Sequence, residues 1–163
     1  MMKVGLGYDV HAFDPSRPLV LGGVTVEGSS GLAGWSDADV LSHAIVDAML
    51  GAAGLGDLGA HFSTEEVPEG ISSLDLIAQT AAMVSGEGYQ VENVDAVVVV
   101  QDVMLSPYRE EMQNRLAMAL NIEASAVNVK ATTTDRLGFV GAGEGAVGMA
   151  VVLLSRASAP EEK

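Results

Sequence analysis

The chain of 163 residues contains no cysteine, which excludes disulfides, thiolate metal ligands and cysteine nucleophiles. Aromatic residues make up only 4% of it, and basic residues are scarce: 8 stand against 22 acidic ones, a net charge of −14. Nucleic acids and anionic membranes attract a basic surface, so this balance argues against both as partners. We also recognise no secretory segment and no apolar run of membrane-spanning length. We therefore expect a soluble, cytoplasmic protein.

The composition is otherwise that of a compact globular protein, with 48% hydrophobic and 18% charged residues. A chain of this length fits one domain with a core large enough to need no crosslinks. We expect a single domain over residues 1–156, followed by an acidic C-terminal tail over residues 157–163 that includes Glu161 and Glu162.

Hydrophobic periodicity and turn residues predict strands that alternate with helices. The first helix is expected to start with Ser36 as its N-cap and to end near Gly54, and Pro107 is expected in the first turn of the third. Asp14-Pro15-Ser16 predicts a turn. The predicted helices are 36–54, 73–85 and 107–120, and the predicted strands are 2–13, 18–22, 24–27, 91–103, 127–134 and 144–154. This order favours an α/β fold of the two-layer α+β kind, a mixed sheet with helices on one face.

Two predicted strands are apolar on both faces, at Val97 to Val100 and at Val147 to Leu154. Helices on one side of the sheet would cover only one of those faces. We therefore expect a homo-oligomer in which sheets pack against one another.

One short-range pattern suggests a metal site. Asp9 and His11 are two apart in a predicted strand and so point to the same face, and His43 lies in the first predicted helix. One carboxylate and two imidazoles form a three-ligand zinc set that leaves a fourth position open. Asp47, one turn further along the helix, is a candidate to orient the imidazole of His43. Taken singly, each of these residues is more often structural, and His43 alone would be read as a hydrogen-bonded core residue.

A second pattern, Thr132-Thr133-Thr134-Asp135, ends a predicted strand. Three hydroxyls can hold phosphoryl oxygens and the following carboxylate can hold a hard cation. The alternative is that threonine simply favours strands and aspartate opens turns. The start of the first helix is a candidate anion site, although Asp37 and Asp39 partly satisfy it already.

These segments, in this order, resemble the 2-C-methyl-D-erythritol 2,4-cyclodiphosphate synthase family of the non-mevalonate isoprenoid pathway. The resemblance reaches to about Leu154 and rests on motifs that are specific only in combination. They are Gly7-Tyr8-Asp9-Val10-His11-Ala12-Phe13, Ser36-Asp37-Ala38-Asp39-Val40 with His43, Gly54-Leu55-Gly56-Asp57-Leu58-Gly59, Asn128-Val129-Lys130-Ala131-Thr132-Thr133-Thr134, Leu137-Gly138-Phe139 and Gly143-Glu144-Gly145.

The resemblance implies a homotrimer with active sites between subunits, each using a zinc ion and a second divalent cation, Mg²⁺ or Mn²⁺. It implies a lyase that closes a ring: the 2-phosphate of a cytidine-diphosphate-linked substrate attacks the β-phosphate and expels CMP. By resemblance Asp9, His11 and His43 are the zinc ligands, Asp135 binds the second cation and Thr133 stabilises the transition state. The remaining implied contacts are with the substrate: Ser36, Asp57, Leu58, Gly59, Phe62, Glu66, Val100, Gln101, Asp102, Val103, Met104, Leu105, Ser106, Ala131, Thr132, Thr134, Phe139 and Ala142.

The chain departs from the family pattern where basic groups are common. Trp35 replaces a histidine that counts among the family's catalytic residues, Met104 replaces a lysine and Ala142 replaces an arginine, while Asp135 is one methylene shorter than the usual glutamate. These losses leave open a second hypothesis, a catalytically weak trimer that binds metal and cytidine nucleotides. A zinc-dependent phosphate hydrolase is a third hypothesis, but no general base is recognisable near the predicted zinc.

Overall fold

The computed structural model describes residues 1–157 and folds them into five strands and five helices. The predicted acidic tail, apart from Ala157, lies outside the described residues. The elements are β1 Met2–Leu21, β2 Val24–Leu32, α1 Val40–Ala53, α2 Leu58–His61, α3 Ser73–Gly86, β3 Tyr89–Val99, α4 Arg109–Leu120, a 3₁₀ turn Ala124–Ala126, β4 Val127–Thr132, α5 Gly138–Gly141 and β5 Gly145–Arg156.

The strands form one mixed sheet in the order β2-β1-β5-β3-β4. Neighbouring strands are antiparallel except β3 and β4, which α4 joins in parallel. The larger helices lie on one face, with α1 against β1 and β5, α3 beside α1, and α4 beside α3. The predicted mixed sheet with helices on one face is therefore confirmed.

The prediction of two separate strands before residue 23 was wrong. β1 runs unbroken from Met2 to Leu21, and the expected turn at Asp14-Pro15-Ser16 is an irregularity in its pairing with β2. The side chain of Asp14 accepts a hydrogen bond from the Ser16 amide at 2.9 Å, so the local turn chemistry is present without reversing the chain. The reversal occurs at Gly22 and Gly23, which both have positive φ, as a two-residue hairpin requires.

Helix α1 begins later than predicted. Its N-cap is Asp39, whose carboxylate accepts hydrogen bonds from the amides of Leu41 and Ser42, and it ends at Gly54 in the left-handed conformation. Ser36 was wrongly expected to cap this helix, because Ala38 has a φ of 59° and interrupts the helical path. Pro107 similarly lies just before α4 rather than in its first turn.

Glycines bring α1 unusually close to the sheet. A Cβ at Gly5 would lie 1.8 Å from the carbonyl oxygen of Ala48, one at Gly7 would lie 1.7 Å from that of Ala44, and one at Gly148 would lie 2.1 Å from that of Val40. At these three positions only bare backbone fits beneath the helix. The close contact fixes α1 along β1, and with it the register between Asp9 and His43.

The opposite face of the sheet is apolar and exposed. In β1 the side chains that alternate with the buried glycines are Val4, Leu6, Tyr8 and Val10, and Val4 is 68% and Leu6 67% exposed. Val151 of the neighbouring strand β5 is exposed on this face as well. Such a contiguous apolar surface is unusual on a monomer. Within residues 1–157, none of the helices has the length and apolar character needed to cross a bilayer.

Candidate metal centre and second residue group

Asp9, His11 and His43 meet where β1 passes the first turn of α1. Oδ2 of Asp9 lies 2.8 Å from Nε2 of His11 and 3.0 Å from Nδ1 of His43, and the two nitrogens are 3.1 Å apart. Ligands bound tetrahedrally to zinc at about 2.0–2.1 Å are about 3.3 Å from one another. The three atoms therefore need to move only slightly to hold one ion. The predicted triad is present in the structure as a potential metal-binding site.

Hydrogen bonds on the far side of each imidazole direct its lone pair to the cluster. Nδ1 of His11 contacts the carbonyl oxygen of Ala33, which can only accept, so Nδ1 carries the proton and Nε2 is free. Nε2 of His43 lies 3.0 Å from the hydroxyls of both Ser36 and Ser73, on the side of the ring away from Asp9. Metal-bound histidines usually have such outer partners.

The charges within the triad support one another. Burial alone would raise the pKa of Asp9. When the facing nitrogens of His11 and His43 carry an additional proton in the metal-free chain, their hydrogen bonds and charge outweigh burial and hold the pKa of Asp9 well below its usual range. Burial alone would lower the pKa of His11, but the hydrogen bond and charge of Asp9 raise it above 6.5. Three electron-pair donors this close repel one another unless a proton or a cation lies among them, so the cluster is suited to bind a cation.

Asp47 does not orient His43 as the sequence suggested. Its carboxylate accepts a hydrogen bond from the amide of Leu58 at 2.7 Å and so anchors the start of α2. Burial raises the pKa of Asp47. The short helix α2, within a predicted loop, has Asp57 as its N-cap. A cavity of about 420 Å³ opens over the triad and is lined by Asp9, His11, Trp35, His43, Asp47, Asp57, Leu58 and Gly59.

Trp35 lies at this cavity and is fastened to the segment between α2 and α3. Its indole Nε1 donates to the carbonyl oxygen of Val67 at 2.9 Å, and its own carbonyl accepts from the amide of Gly70 at 2.8 Å. Phe62 at the start of the segment is buried, whereas Glu66 is exposed and accepts from the Ser63 hydroxyl. Trp35 therefore has a structural role here, beside any contact with a ligand.

The other predicted site residues form a second group at the carboxyl ends of β3 and β4. The amide of Val100 donates to the carbonyl oxygen of Thr132 at 3.0 Å, and the Thr133 hydroxyl accepts from the amide of Asp135 at 3.2 Å. The same two segments of chain, residues 100–106 and 131–142, also carry the other residues that the family pattern predicted: Gln101, Asp102, Val103, Met104, Leu105, Ser106, Ala131, Thr134, Phe139 and Ala142.

Arg136 belongs to this second group and was not predicted. Its guanidinium pairs with Asp102 at 3.2 Å, its amide donates to the side chain of Gln101, and it adopts a positive φ, as Asp102 and Asp135 do. Backbone conformations of this kind in non-glycine residues often occur at functional sites. Arg136 supplies a positive charge in a group where the sequence pattern suggested that basic residues were missing.

The two groups do not meet within one chain. Asp9 pairs with Gly148, Gly148 with Val98 and Val98 with Ala131, so three strand spacings separate the triad from β4. At about 4.8 Å per spacing this is roughly 14 Å. One chain alone therefore cannot bring both groups around one small substrate.

The sequence did not reveal the residues that hold the triad in place. Ala33, Ser73 and Arg17, whose guanidinium donates to the carbonyl oxygens of Gly34 and Ser36, were not among the predicted site residues. The triad itself was visible because two of its members alternate along one strand.

Fold and cluster together define the class of this chain: an α+β protein with a potential metal-binding site between a strand and a helix. A sequence model of the YgbB family matches residues 2–155, so the chain belongs to the YgbB family. This confirms the family resemblance drawn from the motifs.

The individual proteins that this chain resembles are consistent with this family. The 2-C-methyl-D-erythritol 2,4-cyclodiphosphate synthase of Pelotomaculum thermopropionicum is 54% identical over 156 residues, covering 95% of this chain and 96% of the relative. The bifunctional IspDF of Campylobacter jejuni has a solved structure with a TM-score of 0.91 and 39% identity, covering 96% of this chain and 42% of that one. IspF of Plasmodium falciparum, solved as a CDP complex, gives a TM-score of 0.83 at 29% identity, covering 96% of this chain and 97% of that one.

Proposed function

We propose that this chain is a 2-C-methyl-D-erythritol 2,4-cyclodiphosphate synthase, a lyase of the non-mevalonate isoprenoid pathway. The single observation that carries the proposal is the Asp9, His11 and His43 triad at the mouth of a cavity, in a chain 54% identical to a synthase of that name over nearly its full length. Its substrate would be 4-diphosphocytidyl-2-C-methyl-D-erythritol 2-phosphate and its products the 2,4-cyclodiphosphate and CMP.

The reaction needs alignment and charge neutralisation more than a protein nucleophile. An oxygen of the 2-phosphate forms a bond to the β-phosphorus, and the bond from that phosphorus to the oxygen it shares with the cytidine phosphate breaks, releasing CMP. The attacking phosphate is already ionised, so no side chain has to remove a proton. Hydrolysis would in addition need a base to activate water, whereas the two other carboxylates at the cavity, Asp47 and Asp57, each accept a backbone hydrogen bond in α2.

The residues of the triad suit zinc. Two imidazole nitrogens and one carboxylate oxygen are ligands that zinc accepts, and the open side of the triad faces the cavity. Asp135 offers only oxygen, which suits Mg²⁺ or Mn²⁺. When bound, these ions would neutralise negative charge on phosphate oxygens, which otherwise would be repelled by a chain of net charge −14.

We place the active site between subunits of a homotrimer. Two observations support this arrangement: the apolar face of β1 is exposed, and the triad and the second group are too far apart in one chain. In a trimer, residues 100–106 and 131–142 of a neighbouring subunit could close over the triad. There Thr133 would stabilise the transition state, and backbone groups of Val100 to Ser106 would hold the cytidine. The CDP complex of the Plasmodium falciparum relative supports a nucleotide site in proteins of this shape.

Phosphorus NMR of the purified protein with zinc, magnesium and the nucleotide-linked substrate tests the proposal. We expect CMP and the cyclic diphosphate to appear in equal amounts. CMP without the cyclic product would indicate hydrolysis instead. An unchanged spectrum from a protein shown to hold zinc would reject the enzyme and favour the alternative, a catalytically weak trimer that binds metal and cytidine nucleotides.

The matched variants are Asp9→Asn, which removes a ligand, and Asp75→Asn, which removes an exposed carboxylate on α3. We expect the first to lose both zinc and product formation and the second to keep both. Equal activity in the two variants would remove the triad from the mechanism.

A further inference from the structure

Ser73 lies between His43 and Asp37, fully buried at the start of α3. Its hydroxyl oxygen is 3.0 Å from Nε2 of His43 and also contacts Oδ1 of Asp37, while its amide donates to Oδ2 of Asp37 at 3.0 Å. Asp37 and Ser73 are 36 residues apart in sequence, and nothing in the proposed reaction uses either of them.

The chemistry of these groups fixes the direction of each hydrogen bond. An ionised carboxylate only accepts, so the Ser73 hydroxyl must donate its proton to Asp37. The oxygen of Ser73 then has only lone pairs left for His43, so it accepts from Nε2–H. Nδ1 of the same ring is left with its lone pair, and this is the atom that faces Asp9 and His11.

We propose that Ser73 and Asp37 are positioning residues that keep the proton of His43 on Nε2, so that Nδ1 is the atom that binds the metal. The inference rests on the proposed metal site and adds to it the groups that prepare one of its ligands. Outer partners of this kind commonly change metal affinity about 10–100-fold when they are removed.

Ser36 does not replace this function, although its hydroxyl oxygen is also 3.0 Å from Nε2 of His43. That oxygen accepts from the amide of Ala38, and no carboxylate takes the hydroxyl proton. Ser36 can therefore either donate to Nε2 or accept from it. Of the two serines, only Ser73 donates its hydroxyl proton to a carboxylate, that of Asp37. Ser73 alone therefore requires Nε2 of His43 to be the donor in their hydrogen bond.

The arrangement also connects the metal site to the segment before α3. The amide of Asp37 donates to the carbonyl oxygen of Ile71 at 3.0 Å, so Asp37 is bound to residues 71–73 through backbone as well as side chain. The orientation of His43 thus depends on how the start of α3 docks against the loop before α1. Asp9 has the opposite effect on the tautomer of His43, because its carboxylate would stabilise a proton on Nδ1.

Zinc affinity and imidazole NMR of three variants test the inference. Ser73→Ala removes the acceptor, and Asp37→Asn allows the amide to donate to Ser73, which can then donate to Nε2. Ser72→Ala is the matched control, because it removes the N-cap of α3 one residue away without touching His43. We expect the zinc dissociation constant to rise at least about tenfold in the first two variants and to stay within about twofold in the control.

The second readout is the Nε2 proton of His43, in zinc-loaded and in metal-free protein. We expect it to exchange slowly with water in the wild type and in Ser72→Ala, and much faster in Ser73→Ala. Zinc bound through Nε2, or unchanged affinity and exchange in Ser73→Ala and Asp37→Asn, would overturn the inference. A wild-type chain that binds no zinc would overturn the metal site of the proposed function. In that case the exchange rate of the Nε2 proton in the metal-free protein would still decide whether Ser73 and Asp37 hold the proton of His43 on Nε2.

Discussion

Gly7 of β1 lies directly beneath Ala44 of α1, so closely that a Cβ on the glycine would be 1.7 Å from the carbonyl oxygen of Ala44. Two residues after Gly7 comes Asp9, and one residue before Ala44 comes His43. The contact between Gly7 and Ala44, which docks the helix, is thus next to the contact between Asp9 and His43 in the candidate metal-binding triad. A change that lifts α1 from the sheet will also separate two of the predicted ligands.

Gly7→Ala should therefore damage both stability and metal binding. An added methyl group has no room against backbone, and we expect a loss of at least about 3 kcal/mol in the free energy of unfolding, together with weaker zinc binding. Denaturant unfolding and a chelator competition measure the two effects. The control is Gly51→Ala, an exposed position within α1 itself with no atom within 4 Å of the added Cβ, which should stabilise the helix by up to about 1 kcal/mol. Similar effects of the two substitutions would contradict the close-contact explanation.

The metal-free protein should show linked titrations of Asp9 and His11. The pKa of His11 is raised, so its stabilising contribution is complete below about pH 6.5 and is lost as the pH rises through the pKa of the folded protein. The pKa of Asp9 is lowered, so its contribution is present above the unfolded pKa of 3.8 and is lost as the pH falls through the folded value. The pair therefore stabilises the metal-free fold most between these limits, from about pH 4 to about pH 6.5.

Histidine NMR titration of metal-free protein measures this directly. Asp9→Asn should lower the pKa of His11, because burial then acts without the opposing carboxylate. Zinc binding should release a proton and tighten as the pH rises through that pKa. An unchanged pKa of His11 in the variant would show that Asp9 is not its electrostatic partner.

Asp39 should contribute more to stability than an ordinary helix cap. It is completely buried, burial raises its pKa, and its two oxygens accept four hydrogen bonds, from the amides of Leu41, Ser42 and Gly23 and from the Ser42 hydroxyl. Asp39→Ala leaves these donors without a partner, and we expect it to cost about 3 kcal/mol in the free energy of unfolding. Ser72→Ala, at the N-cap of α3, should cost about 1 kcal/mol. Equal losses in the two variants would mean that the buried donors find other partners.

The sequence predicted what depends on local pattern. The bounds of α3 and of β5 followed from turn residues and apolar runs to within a residue or two, and the triad followed from alternation along β1. The start of α1 was missed because Ser36, which has the chemistry of a cap, is engaged by Ala38 and His43 instead. Ser73 was missed because its partners are 30 and 36 residues away, and no local pattern records such contacts.

Restoring the basic residues that the family pattern predicts should change little. Trp35→His with Ala142→Arg restores two such groups, but the triad and Thr133 are intact and Trp35 holds its own hydrogen bond to Val67. We expect kcat/KM for cyclodiphosphate formation to stay within about threefold of the wild type. A gain of more than about tenfold would show that the natural chain is impaired and would favour the weak, nucleotide-binding trimer. The single variants separate the two contributions.

Mixed trimers test whether the two residue groups work together across subunits. Asp9→Asn disables the triad and Thr133→Ala disables the second group, so each variant alone should be inactive. When both are expressed in one cell, a site that takes its triad from one subunit and its threonine from the next is intact in about one quarter of cases, and about that fraction of wild-type activity should return. Co-expression of Asp9→Asn with His11→Ala, two substitutions in the same group, is the control and should restore nothing. Activity absent from both mixtures, in trimers shown to contain both chains, would mean that each site is built from a single chain.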